Sequence, residues 1–201
     1  MCSTCKIRPG LFKCKDCSGG SLLRCQDCIV KLHKDIPLHR IEVSLGYVRG
    51  CQTNRFILQR WTGQNFHKDS LKNLGLRIQL GHGGCICPCP SPGPPGFMVF
   101  DTSGIHAVNV DYCDCPTDNI LDRRTQLLRQ GWFPATFSRP NTVFTFDCLD
   151  TFHVHTLQGK GNLYDFYNLL LRKTDNANVS DMVVSLFFFY NYELSQAHNP
   201  T

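Results

Sequence analysis

Cys2-Ser3-Thr4-Cys5, Cys14-Lys15-Asp16-Cys17, Cys25-Gln26-Asp27-Cys28 and then His33 and His39 form the stretch on which the reading of this chain turns. Six cysteines and two histidines within forty residues supply the eight ligands of two tetrahedral zinc ions. A C-x2-C pair turns both sulfurs toward one ion from a tight backbone loop. Two pairings fit the order of ligands. In a cross-brace, Cys2, Cys5, Cys25 and Cys28 share one ion, and Cys14, Cys17, His33 and His39 share the other. In a sequential arrangement, Cys2 to Cys17 hold the first ion and Cys25 to His39 the second. Either way each site is closed by four protein ligands, which leaves no position for a reacting water and points to structure, not catalysis.

The rest of the composition fits a reduced, metal-bearing protein. The 201 residues include 13 cysteines. The N-terminus has no apolar run behind a basic start, so no secretory signal is expected. In a reducing compartment cysteines at this spacing are ligands and not disulfides. No run of 18 apolar residues is present, so no membrane span is expected. Residues 1–42 are too short for a self-sufficient core, and metal must supply much of their folding free energy. Leu22, Leu23, Ile29, Val30, Leu32 and Ile36 are read as a small cluster, with a short helix over 26–34.

Beyond the ligand-rich segment the pattern changes to a mixed α/β unit over 60–178. Asp69 to Gly75 reads as a capped helical turn and Leu76 to Leu80 as a short strand. Residues 81–96, rich in Gly, Pro and Cys, read as loop. Phe97–Asp101 and Ile105–Tyr112 flank a Thr-Ser-Gly turn and read as a β-hairpin. Three helices follow: from the cap at Asp118-Asn119 to Gln130, with Ile120, Leu121, Leu127 and Leu128 as its apolar side; over 142–157; and over 162–173, with Leu163, Phe166, Tyr167 and Leu170 on one stripe. The fold class is therefore α+β: a small N-terminal zinc module, then a mixed domain with a hairpin and three helices.

A further ligand group lies in that second part. His82 precedes Cys85, Cys87 and Cys89, and Cys113-x-Cys115 closes the hairpin. A loop and a hairpin end can bring His82, one or two of Cys85, Cys87 and Cys89, Cys113 and Cys115 around a third zinc. His153 and His155, two apart on a helix, do not face each other.

Two stretches break the pattern. Residues 43–59 show neither helical nor strand period, and 179–201 form an atypical tail with a Phe run. Both open on Val-Ser, whose codons can spell a splice donor, and 43–59 closes on Leu-Gln, compatible with an acceptor. The first reads as a loop or a translated intron, and the tail as a second such candidate.

Two resemblances sharpen these readings. The spacing of His33 and His39 around Pro37-Leu38 resembles the B-box zinc finger, which implies the cross-brace; Cys5 stands where a B-box usually has His. "LKNLGLRIQLGHGG" (71–84), "GIHAVNVDYCDC" (104–115), "QLLRQGWFPATFSRP" (126–140), "TVFTFDCLDTFH" (142–153) and "YDFYNLLLRKTDN" (164–176), with "PLHRIE" joined across 43–59 to "RWTG", resemble the CxC-type cysteine-cluster domain associated with fungal KDZ transposases. That resemblance implies a Cys-Pro-x-Pro loop on Cys87-Pro88-Cys89-Pro90. It makes Cys87 the ligand beside His82, Cys113 and Cys115, with Cys85 and Cys89 as extras. It also implies nuclear residence and a catalytic region lying outside this sequence. Asp101, Asp111, Asp114, Asp118 and Asp122 read as turn and cap residues, not as a two-metal site.

Charge bears on partners. The chain carries a formal +5, and residues 1–42 carry eight Lys and Arg against four acids, an excess of +4. Lys13, Lys15, Arg24, Lys31, Lys34 and Arg40 are the candidate nucleic-acid contacts. Zinc-bound thiolates cancel part of this excess and bring the module near neutrality. The expected partners are transposon-end DNA or other transposase subunits, with a protein-interaction module that makes no DNA contact as the alternative. No membrane and no small-molecule substrate are expected.

Overall fold

The structure is a computed structural model of the 201-residue chain. It describes residues 1–18, 22–43, 59–61, 66–68, 70–83, 85–116, 122–136 and 138–174. The proposed inserts at 43–59 and 179–201 lie outside these residues except for Val43 and Gln59. The described elements in chain order are β1 (Phe12–Cys14), α1 (Gln26–Leu32), β2 (Ile41–Val43), β3 (Gln59–Trp61), β4 (Phe66–Lys68), β5 (Arg77–Gln79), β6 (Pro90–Pro92), β7 (Met98–Asp101), β8 (Gly104–Ala107), β9 (Asn109–Cys113), α2 (Arg123–Arg129), β10 (Trp132–Pro134), β11 (Thr142–Thr145), α3 (Phe146–Gly159) and α4 (Leu163–Thr174). They make two-stranded sheets β1-β2 and β3-β4, a three-stranded sheet β5-β9-β6 and a four-stranded sheet β10-β11-β7-β8. The class is mixed α and β, with cysteine clusters at the N-terminus. The described residues fall into two compact units: those of Met1–Ile78 with Val108–Asp111, and those of Gln79–Ala107 with Tyr112–Thr201.

In the first unit, β1 and β2 pair antiparallel, with Lys13 opposite Glu42 and Cys14 opposite Ile41. The Lys13–Glu42 ion pair at 3.2 Å is the cross-strand partnership this register allows. Gly10 has no alternative residue, because a Cβ there would stand 2.8 Å from the Leu23 carbonyl oxygen. Helix α1 starts directly after Cys25 and ends at Leu32, with His33 as its C-cap, shorter than the 26–34 expected.

The core of this unit differs from the cluster expected from residues 22–36. Leu22, Leu32 and Ile36 are exposed. Instead Cys14, Ile29 and Ile41 pack with Leu71, Leu74 and Leu76, some thirty or more residues further along. Residues 70–75 present Leu71 and Leu74 from one turn, with Leu76 directly after it; Leu74 N–H bonds the Ser70 carbonyl, Leu76 N–H bonds the Leu71 carbonyl and Gly75 sits at φ +93°. Gln26 Nε2 donates to the Leu74 carbonyl at 3.1 Å. Asn109 Nδ2 donates to Lys72 and Leu76 carbonyls, and Asp111 pairs with Arg77. A short metal-bound segment cannot bury enough apolar surface alone, and here it borrows three leucines.

In the second unit, β7 and β8 form the hairpin, with Asp101 opposite Gly104. The Asp101 carboxylate accepts from the Ser103 N–H at 3.0 Å and from its hydroxyl at 2.6 Å, which shapes the turn. The strand expected over 105–112 is two strands, β8 and β9, in different sheets, with the buried Val108 separating them in sequence. The loop expected over 81–96 contains β6.

The helix expected over 142–157 is also corrected. Thr142-Val143-Phe144-Thr145 is strand β11, parallel to β7 and antiparallel to β10. Its β-branched and aromatic residues suit a buried strand. Thr145 then caps α3: its hydroxyl oxygen accepts from the Cys148 N–H at 3.2 Å and donates to Asp101 Oδ1 at 2.9 Å. Trp132–Pro134, expected only to end a helix, is β10, and Gly131 at φ +81° makes the turn into it. Residues 118–121 of the first predicted helix lie outside the described set. Its described part buries Gln126 and Leu127 and leaves Leu128 exposed, against the expected apolar side.

The main core lies here. Phe100, Ile105, Phe144, Cys148, Leu149, Phe152, Phe166, Tyr167, Leu170 and Leu171 bury one another between the sheet and helices α3 and α4. The α4 residues recur at i, i+1, i+4 and i+5, the stripe of a half-buried helix; Leu163 packs at its edge. Each such side chain contributes about 1.5–3 kcal/mol by leaving water, which lets this unit fold on apolar burial where the first cannot.

Candidate metal centres

Three groups of side chains converge. Cys2, Cys5, Cys25 and Cys28 form the first, Cys14, Cys17, His33 and His39 the second, and His82, Cys87, Cys113 and Cys115 the third. Within each, one atom per residue lies within 4.8 Å of all the others. The first two interleave along the chain as a cross-brace. Cys85 and Cys89 are exposed and stand outside the third group; Cys89 acts through its backbone, directing its N–H at Cys87 Sγ. His153 is exposed and joins no group among the described residues.

The geometry of the first two groups follows from local structure. Residues Cys2 and Cys5 lie on one tight turn, with Lys6 at φ +59° and its N–H on the Cys2 carbonyl. Cys25 and Cys28 flank the first turn of α1. Cys14 ends β1, and Cys17 follows in the next turn. His33 caps α1, and the chain returns through Pro37 to His39 before β2. The Arg40–Asp16 ion pair, with Nη2 to Oδ1 at 2.5 Å, ties that return to the Cys14–Cys17 turn.

Separations between donor atoms identify what the groups suit. Four sulfurs bound to one ion at about 2.3 Å stand about 3.8 Å apart, and a sulfur and a nitrogen about 3.5 Å apart. Cys5 and Cys25 sulfurs are 3.8 Å apart, and Cys87 and Cys115 sulfurs 3.6 Å. His39 Nδ1 lies 3.5 Å from Cys14 and 3.4 Å from Cys17, and His33 Nε2 lies 3.5 Å from Cys17. His82 Nε2 lies 3.1 Å from Cys113 and 3.4 Å from Cys115. These are tetrahedron edges, far from the roughly 2.05 Å of a disulfide. All twelve described cysteines are free.

Electrostatics favour a cation in the same places. Burial pushes the Cys2 thiol up, but backbone N–H groups of Cys25, Cys5 and Thr4 overcome it and hold the thiol at about 5. N–H groups of Arg8 and Ile7 hold Cys5 low. Cys28, hydrogen-bonded to Cys25 and partly buried, is pushed up to about 12. Without a metal the group thus favours some thiolates and resists a full set; a dication removes that conflict. Burial likewise raises Cys14 and Cys87 to about 11. Burial lowers His33, which favours the neutral imidazole, the form that binds metal.

Three acids outside these groups have structural roles. Asp101, Asp111 and Asp122 serve a turn, an ion pair with Arg77 and the α2 cap. Ser103 lies between Asp101 and His106 Nε2, at 2.6 and 2.8 Å. Its one proton goes to Asp101, whose carboxyl is lowered against burial by Ser103 and Thr145. With its N–H on the same carboxylate, Ser103 closes the turn between β7 and β8.

A family model described as "CxC2 like cysteine cluster associated with KDZ transposases" matches residues 71–178. The chain belongs to this family. No curated protein and no solved structure matches it. The CxC2 match includes the whole third ligand group and the leucines that complete the first core, and it begins after the first two groups. The CxC2 unit is a cysteine cluster and not a catalytic domain. Among the described residues no helix is long and apolar enough to cross a membrane.

Sequence reasoning missed Gln79 and Gln126, which contact the third group. Gln79 Oε1 accepts from the Cys87 N–H at 3.1 Å. Gln126 Oε1 accepts from the Cys113 N–H at 2.8 Å and its Nε2 donates to the Cys113 carbonyl at 2.9 Å. A polar residue in a strand, as Gln79, or in a helix, as Gln126, gives no sign of such a role until its face is known.

Proposed function

We propose that this chain is a zinc-binding, non-catalytic region of a KDZ-type transposase that recognises transposon-end DNA in the nucleus or helps assemble the transposition complex. The observation that carries the zinc reading is the match of donor separations to tetrahedral edges in three groups. Zinc suits donor sets of four thiolates, of two thiolates with two imidazoles, and of three thiolates with one imidazole. Closed sites of this kind organise a fold without supplying a reactive water.

The charge supports a polyanion partner more than neutrality would. Six thiolates and two Zn2+ add −2, and the two imidazoles add nothing, so the +4 of residues 1–42 falls to +2. Lys13 and Arg40 are held in ion pairs with Glu42 and Asp16. Lys15, Lys31 and Lys34 are exposed, without ion-pair partners among the described residues, and with Arg24 they are the remaining contacts.

A specific observation favours the second reading, a zinc-dependent protein-interaction module. Met1 and Ile7 are each 78% exposed, and Leu22 is 47% exposed. Binding of the zinc-loaded protein to candidate element-end DNA across a salt series separates the two. Log affinity falling linearly with log salt supports DNA recognition. No DNA binding at low salt, with salt-tolerant capture of a transposase subunit, supports the interaction module.

A further inference from the structure

We propose that Gln126 is a positioning residue of the third metal centre, with Gln79 as its counterpart at the end of strand β5; this rests on the zinc reading of His82, Cys87, Cys113 and Cys115. Gln126 is 2% exposed and spends both ends of its amide on one ligand residue, Cys113. An N–H and a C=O of the same residue are usually satisfied by a neighbouring strand. Here a helix side chain does it, at the end of β9, where Cys113 must turn its sulfur toward His82.

The space around Cys113 is set from the other side by Gly81. Its φ is +94°, and a Cβ there would stand 2.6 Å from Cys113 Cβ and 3.3 Å from Gln126 Oε1. Cys113 is thus held between a glycine that permits close approach and an amide that fixes its backbone. His82 follows Gly81 directly, so the same contact aligns two ligands. Gln79, two residues before Gly81, fixes the Cys87 N–H. Three of the four ligands are therefore placed by groups that bind no metal themselves. Such partners orient ligands and commonly change metal affinity about ten- to a hundredfold when removed.

The test uses the full chain loaded with Zn2+ or Co2+. Q126M keeps the length of the side chain and deletes the two hydrogen bonds to Cys113; Q126E retains the acceptor and loses the donor. Metal release to a chelator is followed per ion, with the Co2+ absorption bands of a site with three thiolates and one imidazole reporting the third centre. The expected order of release at that centre is wild type slowest, then Q126E, then Q126M, with Q126M about ten- to a hundredfold faster. The ions of the first and second centres are expected to leave at the wild-type rate. Wild-type release from folded Q126M, or from Q126E where Q126M does not fold, overturns the positioning role. A wild-type protein with only two ions removes the third centre itself, and the proposal with it.

Discussion

Nδ1 of His33 lies 2.8 Å from the carbonyl oxygen of Ile29, one helical turn back. A carbonyl only accepts, so Nδ1 carries the proton and Nε2 is left to face Cys17. His39 meets Cys14 and Cys17 through the other nitrogen, Nδ1. In zinc-loaded protein, long-range 15N NMR is expected to show opposite tautomers, with Nε2 bound in His33 and Nδ1 bound in His39. Identical tautomers would contradict the second centre as described.

Metal content follows from the three ligand groups. Elemental analysis of purified protein is expected to give three ions per chain. His82→Ala and His33→Ala are each expected to lose one, and Cys85→Ser and Cys89→Ser none. Loss of an ion from Cys85→Ser would mean the third group is drawn from different cysteines.

The first unit should depend on leucines far from its ligands. Leu74 is 8% exposed and packs in one cluster with Ile29 and Ile41. Leu74→Ala is expected to cost about 2–5 kcal/mol. Amide exchange should show lost protection at Ile29 and Ile41, although neither is near the substitution in sequence. Unchanged protection there would sink the shared core.

Thiol reactivity should sort by environment. Cys148 is fully buried, and burial pushes its thiol up to about 12, so almost no thiolate forms at neutral pH. Cys85 and Cys89 are exposed. Mass mapping after brief alkylation of the zinc-loaded protein is expected to find Cys85 and Cys89 modified first and Cys148 last.

Asp101 gives a pH dependence with a definite sign. Burial raises its carboxyl, but hydrogen bonds from Ser103 and Thr145 win and hold it below the ordinary 3.8. A carboxyl lower in the folded than in the unfolded state stabilises the fold fully above the unfolded value. That stability is lost as pH falls through the folded value. Carboxyl 13C titration should find its midpoint below 3.8, and Thr145→Val should raise it.

The sequence by itself determined the ligands of the first two groups. Cysteines separated by two residues turn both sulfurs to one side from a tight loop, and that constraint is local. It also determined the α4 stripe and the hairpin turn at 102–104, because apolar period and turn chemistry are written in neighbouring residues. Only the tertiary structure decided which pairs interleave, since pairing depends on where α1 and β2 bring the chain back. It alone decided that Thr142–Thr145 is a strand, because its parallel partner β7 is some forty residues away in sequence. The same holds for Leu71, Leu74 and Leu76 joining Ile29, and for Gln126 holding Cys113. Burial and hydrogen bonding act between residues that are close in space, and sequence order does not carry that distance.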